Sequence, residues 1–169
     1  KYNGTNVLPV GAILAADMEA DENWSGAFTV VTTPLAQVRE GLRSIKLTPV
    51  NNAILTYATT QDFESGINGA PNFGATDLFK IDIFPTTASQ TSFRVRFRDA
   101  TTPTTKYFEL SSSGSGPGWS TISAARSTFV NTGTAVWTNI GSMQIFVDSG
   151  DTINFDNAFH QYLLSPPAG

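Results

Sequence analysis

Residues 93–98 read Phe93-Arg94-Val95-Arg96-Phe97-Arg98, three cycles in which an apolar side chain alternates with a cationic one. Successive side chains of an extended chain point to opposite faces, whereas a helix spreads a period-two pattern around its circumference. The segment is therefore amphipathic only as a strand with one buried and one solvated face. The same period runs through residues 78–84, closed by Pro85, and through residues 44–48, closed by Pro49; proline cannot donate to a strand ladder. Residues 106–110 read as the hairpin partner of the arginine strand, joined to it by the loop 99–105 that carries Pro103. Residues 143–148 turn at Ser149-Gly150 into residues 152–156, and residues 13–18, 28–32 and 53–57 are further strands. Helix signals are sparse: the stretch 35–42 reads as loop and 124–127 as one turn at most. About ten short strands without crossover helices predict an all-β antiparallel sandwich of the jelly-roll kind.

At 169 residues the chain is long enough for one domain with a sizeable core and too short for two full ones. Its formal charge of −4 argues against nucleic acid or an anionic membrane as partner. Cysteine is absent, which removes disulfides, thiol catalysis and thiolate metal sites. No run of residues approaches the roughly 18 consecutive apolar positions of a membrane span. Lys1 in place of Met reads as a mature or excised start, so the lack of a signal peptide carries no weight.

Catalytic machinery is thinly represented. The single histidine, His160, stands beside Phe159 and close to Tyr162, the setting of a structural imidazole. No Gly-x-Ser-x-Gly elbow occurs. Paired carboxylates for glycoside hydrolysis are not excluded, since their separation is invisible in a sequence. The chain is read as a non-enzyme, with a small glycoside hydrolase or lyase as the competing reading.

Two constellations point to binding instead. In a strand Asp17, Glu19 and Asp21 share one face, where like charges repel unless a cation joins them. Hard oxygen donors without His or Cys suit Ca²⁺; spacing alone leaves a merely solvated acidic edge equally open. The second constellation is aromatic and polar. If residues 106–110 pair with the arginine strand, Arg94, Arg96, Tyr107 and Glu109 project from the same face. Sugars want this mixture, an aromatic for the apolar ring face and charged groups for the hydroxyls. Cross-strand Arg–Glu pairing on an inert outer face explains the same residues. Of Trp24, Trp119 and Trp137, Trp119 is the best candidate platform, because the preceding Gly114-Ser115-Gly116-Pro117-Gly118 offers no core of its own.

The order of features resembles the galactose-binding-like jelly rolls that serve as carbohydrate-binding modules. The resemblance rests on Asp17-Met18-Glu19 with Asn23-Trp24-Ser25-Gly26-Ala27, then Gly41-Leu42-Arg43-Ser44-Ile45-Lys46-Leu47, then Trp119-Ser120-Thr121-Ile122-Ser123, and finally Ile153-Asn154-Phe155-Asp156-Asn157. It implies a structural Ca²⁺ between the opening and closing strands, bringing Glu19 and Asp156 together with Asp17 beside them. A second resemblance, carried by Lys1-Tyr2-Asn3-Gly4-Thr5 and Leu8-Pro9-Val10-Gly11-Ala12-Ile13, is to bacteriophage tail-fibre junctions. It implies a stalk-like lead-in over 1–12, a tip domain over 13–169 and a homotrimer. The expected function is a non-catalytic glycan-binding tip on a virion, recognising a bacterial surface polysaccharide. The alternative is a monomeric, extracellular carbohydrate-binding module appended to a polysaccharide-degrading enzyme.

Overall fold

The computed structural model describes residues 12–19, 23–33, 37–39, 43–64 and 77–161. They form two antiparallel six-stranded sheets packed face to face. The expected all-β sandwich is what the chain builds. Helical geometry among the described residues is confined to the 3-10 turn Arg126–Thr128 and to Gln37, and no helix among them is long and apolar enough to cross a membrane.

The first sheet runs β3 (Thr29–Val31), β4 (Ser44–Leu47), β12 (Ile153–Gln161), β6 (Leu78–Pro85) and β9 (Ser120–Ala125), with β1 (Ala12–Ala16) also on β12. One side of β12 is shared: Ile153 to Phe155 pair with β4, and Ala158 to Gln161 pair with β1. The exchange falls at Asp156-Asn157, where Asn157 has φ 48° and the register against β6 also shifts. Asparagine accepts this left-handed geometry far more readily than a β-branched residue.

The second sheet runs β10 (Val130–Thr132), β8 (Tyr107–Gly114), β7 (Thr91–Asp99), β11 (Ile140–Ser149), β5 (Asn52–Gln61) and β2 (Trp24–Gly26). Three features depart from expectation. Residues 24–26, turn-like in composition, form β2, because β5 offers a free ladder on which Trp24 and Gly26 pair with Leu55 and Ala53. Residues 130–132 form β10 on the open side of β8. The Ser/Gly run 111–114, beyond the expected strand 106–110, continues β8 opposite Arg94 to Thr91, since a ladder is backbone chemistry that small hydroxyl side chains do not disturb. Of the lead-in 1–12 only Ala12 is described, as the first residue of β1, and residues 65–71 lie outside the described residues.

The core is the interdigitation of the two inner faces. Phe79, Ile81 and Ile83 from β6 meet Phe93, Val95 and Phe97 from β7, all at most 1% exposed. Aromatic edges bridge the layers: Phe79 to Phe97 at 5.4 Å between ring centroids and Phe93 to Phe155 at 5.2 Å. Phe63, beyond the end of β5, plugs one end of the sandwich, with its N–H bonded to the Trp137 carbonyl at 2.8 Å. At the end of β7, Asp99 accepts the N–H groups of Thr101 and Thr102 at 2.9 and 2.8 Å and the Asn139 amide at 2.9 Å. Burial alone pushes this carboxyl up, but the donors, Thr102 N–H first among them, outweigh it and hold the group below its ordinary range.

Candidate functional site

With Phe93, Val95 and Phe97 committed to the core, the other register of β7 turns Arg94, Arg96 and Arg98 outward, half-buried. Three rows cross the outer face of the second sheet. Glu109, Arg96, Gln144 and Ile54 form one; Ser111, Arg94, Phe146 and Asn52 the next; Tyr107, Arg98, Ser142 and Thr56 the third. The face is built on the central strands of a sheet, so its side chains are set by ladder register rather than by a loop.

Its electrostatics are those of a guanidinium array threaded by two carboxylates. Arg94 holds Asp148 side-on, with Nε 3.1 and 3.0 Å from the two carboxylate oxygens and Nη2 2.8 Å from one of them. Its Nη1 also reaches Glu109 at 3.2 Å, and Arg96 Nε donates to the same Glu109 oxygen. The hydrogen bond to Asp148, partly opposed by burial, raises the Arg94 pKa further. The aromatic component is interleaved: Arg96 lies 4.0 Å from the Tyr107 centroid and 5.0 Å from that of Phe146, and Arg94 lies 4.3 Å from Phe146. Gln144 links the array onward, accepting from Arg98 Nη1 at 3.2 Å and donating to Asn52 Oδ1 at 3.3 Å. Exposed pairs of this kind add little stability, about 0.2–1 kcal/mol each. What they supply is orientation: fixed donors and acceptors around two rings, suited to a flat, polyhydroxylated ligand.

The structure thus brings Arg94, Arg96, Tyr107 and Glu109 together. Trp119 is elsewhere. It immediately precedes β9 and meets Phe84 of β6 at 5.5 Å between centroids, which places it with the first sheet and not with the arginine row. Trp119, the candidate platform, therefore does not share a surface with the arginines. Sequence period sets which face of its own strand a residue occupies, but not which sheet that strand joins. Trp24 and Trp137 pack against the core, Trp137 stacked on Phe108 at 3.9 Å and 5° between planes. His160 is fully buried among Phe63, Phe79, Phe97 and Trp137. Desolvation, reinforced by the Arg126 charge, drives its pKa well below 6.5 and keeps it neutral.

Asp17 and Glu19, just beyond β1, and Asp156 in β12 accept backbone N–H groups. Glu19 Oε1 accepts the Arg43 N–H at 3.3 Å, and Asp156 Oδ2 accepts the Arg39 N–H at 3.0 Å. Asp17 Oδ1 accepts the Glu19 N–H at 2.9 Å. Among the described residues no three His, Asp or Glu side chains form a metal-holding group.

Sequence reasoning missed Arg98, Phe146, Gln144 and Asp148. The signal was present. In residues 143–148, Met143, Ile145 and Val147 claim the core, which sends Gln144, Phe146 and Asp148 to the same outer face as the arginines.

No family model matches the chain, and no curated protein does. Solved structures do. A family 11 carbohydrate-binding module from Clostridium thermocellum, in complex with a β-1,3-1,4-mixed-linked tetrasaccharide, aligns with TM-score 0.63 and 13% identity over 94% of this chain and 100% of its own. An agarase aligns with TM-score 0.64 and 10% identity over 94% of this chain, which spans 25% of the agarase. The CBM22-1-GH10 modules of the Clostridium thermocellum endo-1,4-β-D-xylanase 10B, complexed with xylohexaose, align with TM-score 0.51 and 16% identity over 91% of this chain and 29% of that one. At these identities the likeness is one of fold: the jelly-roll sandwich of such modules.

Proposed function

We propose that this chain is a non-catalytic carbohydrate-binding module whose ligand lies across the outer face of the second sheet. The observation that carries the reading is the convergence of Arg94, Arg96, Tyr107, Glu109 and Phe146 on three neighbouring strands, with guanidinium groups 4.0 to 5.0 Å from the ring centroids. Pyranose rings present an apolar face to an aromatic and hydroxyls to ionised hydrogen-bond partners, and this face offers both. The fold it shares with modules and with domains inside larger polysaccharide-acting enzymes supports an extracellular, enzyme-appended module over a virion fibre tip. Mass in solution separates the two, a monomer for the module and a trimer for the tip. Hydrolase or lyase activity is the rival class, and release of new chain ends from a polysaccharide by this chain alone would establish it.

Affinity electrophoresis through gels cast with mixed-linkage β-glucan, agarose, xylan or polygalacturonate tests the binding reading; retardation in at least one is expected, and free migration in all contradicts it. In the same assay Trp119→Ala is expected to keep the parent's retardation within about twofold, since Trp119 stands on the other sheet. Loss of retardation with the fold intact would move the site to that side.

A structural Ca²⁺ belongs to the same proposal. Glu19 and Asp156, with Asp17 beside Glu19, supply carboxylate oxygens, the donor type calcium takes, and would hold the ion. A ligand held only by the native state stabilises it by mass action, so EDTA is expected to lower Tm by several degrees and added Ca²⁺ to restore it. An unchanged melting curve ends the metal.

A further inference from the structure

The arginines of the outer face are not equally engaged. Arg94 is ion-paired to Asp148 and Glu109, and Arg96 to Glu109. Among the described residues Arg98 forms no ion pair, and its guanidinium donates one hydrogen bond, to the neutral Gln144 Oε1 at 3.2 Å. Its Nε is buried without a hydrogen-bond partner. The face therefore carries three guanidinium groups against two carboxylates, a local cationic excess on a chain whose formal charge is −4. Burial, and then the charge of Arg96, already work against the Arg98 cation. A half-buried charge with no counter-ion is costly, and an arriving anion removes that cost.

Arg98 stands directly opposite Tyr107 on β8 and Ser142 on β11. An anion on it would lie beside the partly exposed ring and hydroxyl of Tyr107, Ser142 being itself buried. The adjacent pair shows which anion the array takes. Arg94 grips the planar Asp148 carboxylate through two nitrogens together, and at Arg98, whose Nε is buried, the Nη1–Nη2 edge offers a fork of the same kind.

Resting on the module reading above, we propose that the ligand is an acidic polysaccharide and that Arg98 receives the carboxylate of a uronic acid residue stacked at Tyr107. Arg98 is then the specificity-determining residue, and the rest of the face holds the sugar rings.

The test is calorimetric titration of the intact chain at low salt with oligogalacturonate, mixed-linkage glucan oligosaccharide, a sulfated galactan oligosaccharide and polyglutamate. Oligogalacturonate is expected to bind at least tenfold more tightly than the neutral glucan, with the advantage shrinking as salt rises. Arg98→Gln should erase that advantage, Arg98→Lys should keep part of it through charge without the fork, and Lys80→Gln on the first sheet should keep all of it. Equal affinity for neutral and uronate ligands overturns the acidic-ligand proposal and leaves the module reading standing. Equal binding of the sulfated galactan overturns the carboxylate assignment, and equal binding of polyglutamate overturns a sugar-specific role. Binding of no saccharide overturns the module reading as well.

Discussion

Arg96→Ala is expected to weaken binding of the best saccharide ligand roughly tenfold to a hundredfold, the loss of hydrogen bonds to a charged group at about 1.5–3 kcal/mol, with the sandwich still folded. Arg96 is the centre of the face: its guanidinium lies 4.0 Å from Tyr107 and 5.0 Å from Phe146, and it donates to Glu109. Removing it frees both rings from their cationic neighbour and leaves Glu109 to Arg94 alone. Fold stability should hardly move, because the pair is partly exposed and such pairs contribute little. Titration calorimetry gives the affinity and a thermal melt gives the stability. Unchanged affinity places the ligand elsewhere, and a large drop in Tm makes the array structural.

One position along the same strand, Phe97→Ala should do the reverse. Phe97 is 0% exposed and within 6 Å, centroid to centroid, of Phe63, Phe79, Phe129, Trp137 and His160. Deleting its ring leaves a cavity that these partners, drawn from the first sheet, from the segments flanking β10 and from the Phe63 plug, cannot collapse to fill. The expected cost is about 3–5 kcal/mol, a fall in Tm on the order of 10 °C for a domain of this size. Phe97→Leu should lose substantially less. A melt within 2 °C of the parent for the alanine variant would show that the aromatic cluster is not where the sandwich's stability resides. The two neighbours thus separate cleanly, binding from one face of β7 and stability from the other.

That separation was readable in the alternation of residues 93–98, because a strand between water and a core has only two sides on which to sort its residues. The same logic placed Tyr107 and Glu109 beside the arginines, since Phe108 and Leu110 claim the core face of the neighbouring hairpin strand. It extends to Phe146 and Asp148 once Met143, Ile145 and Val147 are given to the core. What no period reveals is strand order. Trp119 alternates as sensibly on either sheet, and only the pairing of β9 with β6 takes it away from the arginine row. Short strands were hidden for a related reason. Trp24-Ser25-Gly26 has turn composition, and it is a strand because β5 lies beside it. Gly26 ends that strand at φ 110°, where a Cβ would stand 2.5 Å from the Asn52 carbonyl oxygen.

The placement of the ligand is tested most directly by NMR titration of isotope-labelled chain with the oligosaccharide that binds best in the calorimetric panel. Chemical-shift changes confined to Arg94, Arg96, Arg98, Tyr107, Gln144, Phe146 and their strand neighbours are the predicted result. Changes centred on Trp119 and Phe84, or spread over the first sheet with the arginine resonances still, would contradict it.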